Sequence, residues 1–135
     1  MNNIQPILLV EDDQVDIMTV KRSFKELGVL NQMIVTRNGE EALAYLNKPE
    51  QGLPCVILLD INMPKMNGHE LLEQLKGHAV FKNIPVIMLT SSKEQQDVDN
   101  SFDLGISGYI LKPVDYEQFM TSIQVLNSFW TLKGR

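Results

Sequence analysis

The stretch Val56-Ile57-Leu58-Leu59-Asp60 decides the fold, because it is a short continuous apolar run that ends on a carboxylate. A run of this length and composition is typical of a buried strand in a parallel sheet. Such sheets are covered by helices on both faces. The stretch therefore predicts a buried strand of an α/β sheet, with Asp60 at its carboxyl end.

Three other apolar runs end on polar residues in the same way. They are Ile7-Leu8-Leu9-Val10 before Glu11-Asp12-Asp13, Val86-Ile87-Met88-Leu89 before Thr90-Ser91, and Tyr109-Ile110-Leu111 before Lys112-Pro113. The carboxyl ends of parallel strands share one edge of the sheet, where open α/β sheets bind ligands. Clustered carboxylates suit a hard cation such as Mg2+. Asp60 could act as a nucleophile, with the Thr90 hydroxyl and the Lys112 ammonium holding the oxyanion that it acquires.

Helical patterns separate these runs, so the chain alternates strands and helices. The first helix begins near Gln14 and stops before Gly28, a short second strand covers Met33 to Thr36, and Asn38 caps the next helix. A third helix carries Leu71, Leu72 and Leu75, and a weak fourth helix covers Lys93 to Leu104. Asp115 caps a last helix whose apolar face holds Phe119, Ile123, Leu126 and Trp130. We expect five strands, five helices and one domain over residues 1–135.

Composition excludes several classes of protein. The chain has 135 residues, a net charge of -5 and one cysteine, Cys55. The acidic balance argues against direct nucleic-acid binding, and the lone cysteine favours a reducing compartment and a buried, inert thiol. No signal peptide and no membrane-spanning run is visible, so we expect a cytoplasmic protein that does not contact membranes.

Each polar signal also has an ordinary structural interpretation when taken alone. The three consecutive acids could simply lie near a helix N-terminus, where the helix dipole favours them. Asp60 could be a helix-capping or turn residue, Thr90 could be an ordinary hydroxyl at a strand end, and Lys112 could be a solvated lysine. The equivalent placement of all four at strand ends favours a shared site.

With these residues in order, the chain resembles the receiver domain of two-component response regulators over nearly its whole length. The matching pieces are Leu8-Leu9-Val10-Glu11-Asp12-Asp13, Leu59-Asp60-Ile61-Asn62-Met63-Pro64-Lys65-Met66-Asn67-Gly68, Leu89-Thr90-Ser91 and Tyr109-Ile110-Leu111-Lys112-Pro113. The resemblance implies a flavodoxin-like, three-layer (βα)5 fold with a five-stranded parallel sheet in the order 2-1-3-4-5. It also implies a domain that is phosphorylated and dephosphorylated by its own chemistry and is not otherwise an enzyme.

The resemblance assigns a role to each matching residue. Asp60 corresponds to the phosphate acceptor, Asp12 to a direct Mg2+ ligand, and Glu11 to an acid acting on Mg2+ through water. Asn62 corresponds to a backbone carbonyl ligand, Thr90 and Lys112 to the groups that hold the phosphoryl oxygens, and Tyr109 to an aromatic switch. Pro113 corresponds to a cis-proline, and Asp13 to a position that is often acidic but not universally a ligand.

Within the family, the chain is most similar to stand-alone regulators of cyanobacterial phytochrome-type histidine kinases. This likeness implies a sensor histidine kinase as partner and no effector domain. The last helix carries more apolar surface than one core-facing stripe requires, with Val125, Phe129 and Leu132 on a neighbouring side. We therefore predict a homodimer or partner contact through the fourth helix, fifth strand and fifth helix.

Two other functions share parts of this pattern. A small Mg2+-dependent phosphatase with an aspartyl-phosphate intermediate usually has a second carboxylate two residues after the nucleophile, where this chain has Asn62. A flavin- or nucleotide-binding module needs a phosphate cradle of positive potential after the first strand. Glu11-Asp12-Asp13 presents the opposite charge there.

Overall fold

The computed structural model describes residues 5–48, 50, 52–60, 66, 68–90, 103, 105–111 and 117–121. Five strands are present: β1 (Ile7–Val10), β2 (Met33–Thr36), β3 (Val56–Asp60), β4 (Val86–Thr90) and β5 (Gly108–Leu111). Helices α1 (Gln14–Glu26), α2 (Gly39–Leu46) and α3 (Gly68–Lys76) alternate with the first strands. A short 3-10 helix, Phe81–Asn83, precedes β4, and residues 117–121 are helical.

The strands form one parallel sheet in the order β2-β1-β3-β4-β5. β3 therefore lies in the centre of the sheet, as the strand order implied by the family resemblance predicts. The α/β class and the strand order expected from the family resemblance are both confirmed.

Alternate residues of the central strands face two separate cores. On one side, Leu8 and Val10 of β1 pack with residues from α2 and α3. On the other side, Ile7 and Leu9 pack with residues from α1 and with Phe119. All nine residues of β1 and β3 are buried, because each strand has a helical layer on both faces.

Local signals in the sequence place several element boundaries correctly. The side chain of Asn38 caps α2 by accepting a hydrogen bond from the Glu41 N–H at 2.9 Å. Gly28 (φ 73°) adopts the left-handed conformation that suits a helix terminator. The 3-10 helix before β4 was not predicted.

The second half of the chain is described only in part. Phe119 is buried in the core beside α1, where its ring meets that of Phe24 edge-on with centroids 6.2 Å apart, so the predicted inner face of the last helix is confirmed at this residue. The rest of that face, Ile123, Leu126 and Trp130, lies outside the described residues, as does the predicted fourth helix apart from Asp103, which is helical. Within the described part of the chain, every helix is too short or too polar to span a bilayer.

Candidate functional site

The register of the sheet aligns the polar strand ends. Val10 pairs with Leu59, so Glu11, the residue after β1, is level with Asp60 at the end of β3. Asp60 pairs with Leu89, which places Thr90 one residue beyond it at the end of β4. The predicted convergence of Glu11, Asp60 and Thr90 at one edge therefore follows from backbone pairing.

Three carboxylates meet at this edge. Glu11, Asp12 and Asp60 each have a carboxylate oxygen within 4.8 Å of the others. The side chain of Asp60 is 2% exposed and that of Glu11 is fully buried, whereas Asp12 is exposed. Like charges at such separations repel one another, and burial adds to the cost of keeping them ionised. A hard divalent cation offsets both effects, because it prefers several carboxylate oxygens as ligands. The donor set therefore fits Mg2+, with Asp12 on the side that solvent reaches.

Glu11 is held in place by the backbone around it. Its N–H donates to the carbonyl oxygen of Thr36 at 2.9 Å, which ties the end of β1 to the end of β2. Its carboxylate oxygen Oε2 accepts the N–H of Asp13 at 3.1 Å. Glu11 is thus fixed both at its backbone and at its side chain before any cation binds.

Asp13 has a different role from its two acidic neighbours. Its carboxylate oxygen Oδ1 accepts the N–H groups of Val15 at 2.9 Å and Asp16 at 3.1 Å, which caps the N-terminus of α1. The ordinary interpretation of the acidic run, acids at a helix N-terminus, therefore holds for Asp13. The sequence signal was an acid directly before a helix predicted to start near Gln14.

Tyr109 lies in β5, where it pairs with Met88 of β4, and its side chain is 41% exposed. It therefore reaches the surface of the molecule on the strand next to the one that ends at Thr90. Its role as a switch stays a prediction from the family resemblance.

The remaining predicted site residues lie wholly or partly outside the described part of the chain. The backbone of Thr90 is described and its side chain is not. Residues outside the described part of the chain are Asn62, Lys112, Pro113, and the predicted interface residues Val125, Phe129 and Leu132. Their assigned roles stay predictions.

Comparison with known proteins identifies the family. The sequence model of the response regulator receiver domain family matches residues 7–124 of this chain. The probable methanogenesis regulatory protein FilR2 of Methanothrix harundinacea is 35% identical over 127 residues, covering 92% of this chain and 82% of the relative. Response regulator Rcp1 of Synechocystis is 35% identical over 131 residues, covering 92% of this chain and 87% of the relative.

Solved structures agree with these sequence matches. The phosphorylated cyanobacterial phytochrome response regulator RcpA superposes with a TM-score of 0.83 at 32% identity, covering 97% of this chain and 99% of that one. The Mn2+-bound form of Rcp1 superposes with a TM-score of 0.82 at 33% identity, again covering 97% and 99%. A family match over most of the chain, a parallel sheet of the same order and an acidic cluster at its carboxyl edge lead to one conclusion: this chain belongs to the response regulator receiver domain family.

Proposed function

We propose that this chain is a cytoplasmic receiver that accepts a phosphoryl group on Asp60 from the phosphohistidine of a sensor histidine kinase. The observation that carries the proposal is the cluster of Glu11, Asp12 and Asp60 at the carboxyl end of the central strand. Asp60 is the member of the cluster that ends β3 itself, so its carboxylate is anchored by the sheet. We assign Mg2+ binding to Glu11, Asp12 and Asp60, with the backbone carbonyl of Asn62 as a further ligand.

The chemistry needs an ionised carboxylate and compensation of negative charge. An oxygen of Asp60 attacks phosphorus, the O–P bond forms as the N–P bond to the kinase imidazole breaks, and the imidazole leaves with the bonding electrons. Mg2+, when bound, neutralises the charge shared by the phosphoryl oxygens and the carboxylates. Thr90 and Lys112 donate hydrogen bonds to the transferred group, as the family resemblance implies.

The relatives support a particular kind of kinase. RcpA is a cyanobacterial phytochrome response regulator, and it covers almost the same length as this chain. A phytochrome-type histidine kinase is therefore the partner that we propose. A phosphotransfer profile against the histidine kinases of the source organism tests this choice, and preferential transfer from a kinase without a phytochrome module would contradict it.

The acceptor assignment has its own test. Wild type and Asp60→Asn are incubated with acetyl phosphate and Mg2+, and the intact mass is measured. Wild type should gain one phosphoryl group and Asp60→Asn none, with beryllofluoride giving the same contrast. Undiminished labelling of Asp60→Asn refutes the acceptor, and steady turnover of a nitrophenyl phosphate favours the phosphatase instead.

Phosphorylation is proposed to change the surface formed by the fourth helix, fifth strand and fifth helix. Tyr109 supports this proposal. Its ring is exposed on β5, so it can turn inward when Asp60 is phosphorylated. The apolar residues Val125, Phe129 and Leu132 of the sequence pattern make the same face suitable for a symmetric homodimer. Sedimentation of wild type and Phe129→Asp, with and without beryllofluoride, distinguishes a monomer from a homodimer. A monomer at high micromolar concentration in both conditions rules out the homodimer.

A further inference from the structure

Arg37 is an exposed cation that follows β2 directly, at the carboxyl edge of the sheet. β2 lies beside β1, and Thr36 at the end of β2 pairs with Val10 at the end of β1. The Thr36 carbonyl oxygen also accepts the Glu11 N–H at 2.9 Å. Arg37 therefore leaves the sheet at the same level as the acidic run that follows β1.

The side chain of Arg37 extends across the end of β1. Its Nη2 lies 3.4 Å from Oε1 of Gln14, the first residue of α1. Gln14 comes two residues after Asp12, which is the exposed member of the carboxylate cluster. The positive charge of Arg37 therefore lies on the side of the cluster that solvent reaches.

Hydrogen bonds to the backbone, rather than an ion pair, hold Arg37 in this position. The Arg37 N–H donates to Oε1 of Glu41 at 3.0 Å, and the Glu41 N–H donates to the Asn38 side chain at 2.9 Å. Among the described residues, no carboxylate lies within ion-pair distance of the Arg37 guanidinium. Its contact with Gln14 is to a neutral amide oxygen. The charge of Arg37 is therefore available to an anion that approaches the site.

An anionic phosphodonor needs such a group, because the carboxylates of the site repel it. A divalent cation offsets two of the charges of Glu11, Asp12 and Asp60, so this cluster is still negative when the donor arrives. A charge on the rim of a binding site acts mainly on the rate of association and on its salt dependence.

We infer that Arg37 is a binding residue for the phosphodonor, whose guanidinium attracts the phosphoryl oxygens toward Asp60. A guanidinium suits this role, because its planar array of N–H donors matches the oxygens of a phosphoryl group. The inference rests on the proposed function, since it concerns the donor of the same reaction.

The test compares Arg37→Gln with Arg22→Gln, which removes the same charge from another exposed arginine. Arg22 lies in α1 eight residues after Gln14, about 12 Å further along the helix axis. Glutamine keeps the backbone N–H that Glu41 accepts, so the turn before α2 is preserved in Arg37→Gln. The second-order rate constant for labelling by acetyl phosphate is measured by intact mass at saturating Mg2+, at low and at high ionic strength.

At low ionic strength, Arg37→Gln should be labelled about threefold to tenfold more slowly than wild type. The two rates should converge at about 1 M salt, where charges are screened within about 3 Å. Arg22→Gln should follow wild type at both ionic strengths. Arg37→Lys keeps the charge and should restore most of the wild-type rate.

Mg2+ affinity, measured by calorimetry without a donor, distinguishes attraction of the donor from support of the cation site. The charge of Arg37 repels Mg2+, so Arg37→Gln should bind the ion as tightly as wild type does, or up to about fivefold more tightly. A merely structural role would instead weaken both Mg2+ binding and labelling.

Three results would overturn the inference. They are an unchanged labelling rate in Arg37→Gln at low ionic strength, an equal loss in Arg22→Gln, which would reflect net charge alone, and weaker Mg2+ binding in Arg37→Gln. Absence of labelling in wild type would instead refute the proposed function, which keeps the two failures distinguishable.

Discussion

Polar groups are arranged in opposite ways at the two edges of the sheet formed by the amino ends and by the carboxyl ends of the strands. At the amino edge, Asn31 donates from Nδ2 to the carbonyl oxygen of Gln5 at 2.6 Å and lies 3.7 Å from the Cys55 sulfur. The Cys55 N–H donates to the carbonyl oxygen of Pro6 at 2.9 Å. The donors and acceptors in these three contacts are neutral, and each is paired. At the carboxyl edge, carboxylates of like charge are gathered, and two of the three are buried.

The difference separates an edge whose hydrogen bonds stabilise the fold from an edge that we propose binds a cation. Matched neutral hydrogen bonds stabilise the fold without any ligand. Clustered carboxylates destabilise the ligand-free protein, and a bound cation returns that free energy as binding affinity. The same sheet therefore supports both edges, and substitutions at each edge should affect different measurements.

The largest expected effect is at the carboxyl edge. Asp12→Ala should abolish Mg2+-dependent labelling by acetyl phosphate, because it removes the exposed member of the cluster. The loss in Mg2+ affinity should exceed the roughly 10–100-fold loss that is typical when a residue hydrogen-bonded to a metal ligand is substituted. The free energy of unfolding of the metal-free protein should rise or stay level, since repulsion is relieved. A large loss of stability in a denaturant melt would show instead that Asp12 is structural.

The reverse result is expected at the amino edge. Asn31→Ala leaves the carbonyl of Gln5 without its buried donor, so the free energy of unfolding should fall by about 1–3 kcal/mol. Mg2+ affinity should be unchanged, because the residue lies at the opposite end of the strands. Asn47→Ala is the control: that side chain also donates to a backbone carbonyl, Leu43 at 2.8 Å, but it is exposed. Weaker Mg2+ binding in Asn31→Ala would mean that the two edges are coupled.

A smaller effect separates two neighbouring acids. Asp13→Ala removes the cap of α1 and should cost about 1 kcal/mol of stability. Its effect on Mg2+ affinity should be far below that of Asp12→Ala, since the Asp13 carboxylate is bound to backbone N–H groups. Asp13→Asn keeps a capping oxygen and should retain most of the stability. If Asp13→Ala instead behaves like Asp12→Ala, Asp13 belongs to the cation site.

The smallest effect concerns the thiol at the amino edge. Burial raises the pKa of Cys55 from 9.0 to about 11. The folded state therefore holds this proton more tightly than the unfolded state does. The contribution to stability is fully present below about pH 9 and is lost as the pH rises toward 11. The pH dependence of unfolding in this window should be shallower in Cys55→Ala.

The reactivity of the same thiol offers a second measurement. At pH 8 a disulfide reagent should react slowly with the folded protein and rapidly in urea, because thiolate is scarce and access is limited. Rapid reaction without urea would contradict the burial of Cys55. The sequence had already predicted a buried thiol, and its 7% exposure confirms that prediction.

Much of the fold was predictable because its signals are local. The apolar run of β3, the cap at Asn38 and the terminator at Gly28 each act over a few residues, and each was placed correctly. The 3-10 helix Phe81–Asn83 was missed. Just before and at its start, the backbone N–H groups of Val80 and Phe81 donate to Nδ1 of His78 at 3.1 Å and 3.2 Å. Such hydrogen bonds produce no apolar periodicity, so the sequence pattern did not predict the helix.

By itself, the sequence determined the alternation of strands and helices and the placement of polar residues at strand ends, because both depend on short-range periodicity and on the alignment of parallel strands. Only the tertiary structure decided how the three consecutive acids divide their roles. The backbone turn into α1 directs Asp13 to the helix N–H groups, while pairing with β3 brings Glu11 level with Asp60. The contact between Arg37 and Gln14 was equally hidden, because the approach of residues distant in the chain leaves no pattern in the residues between them.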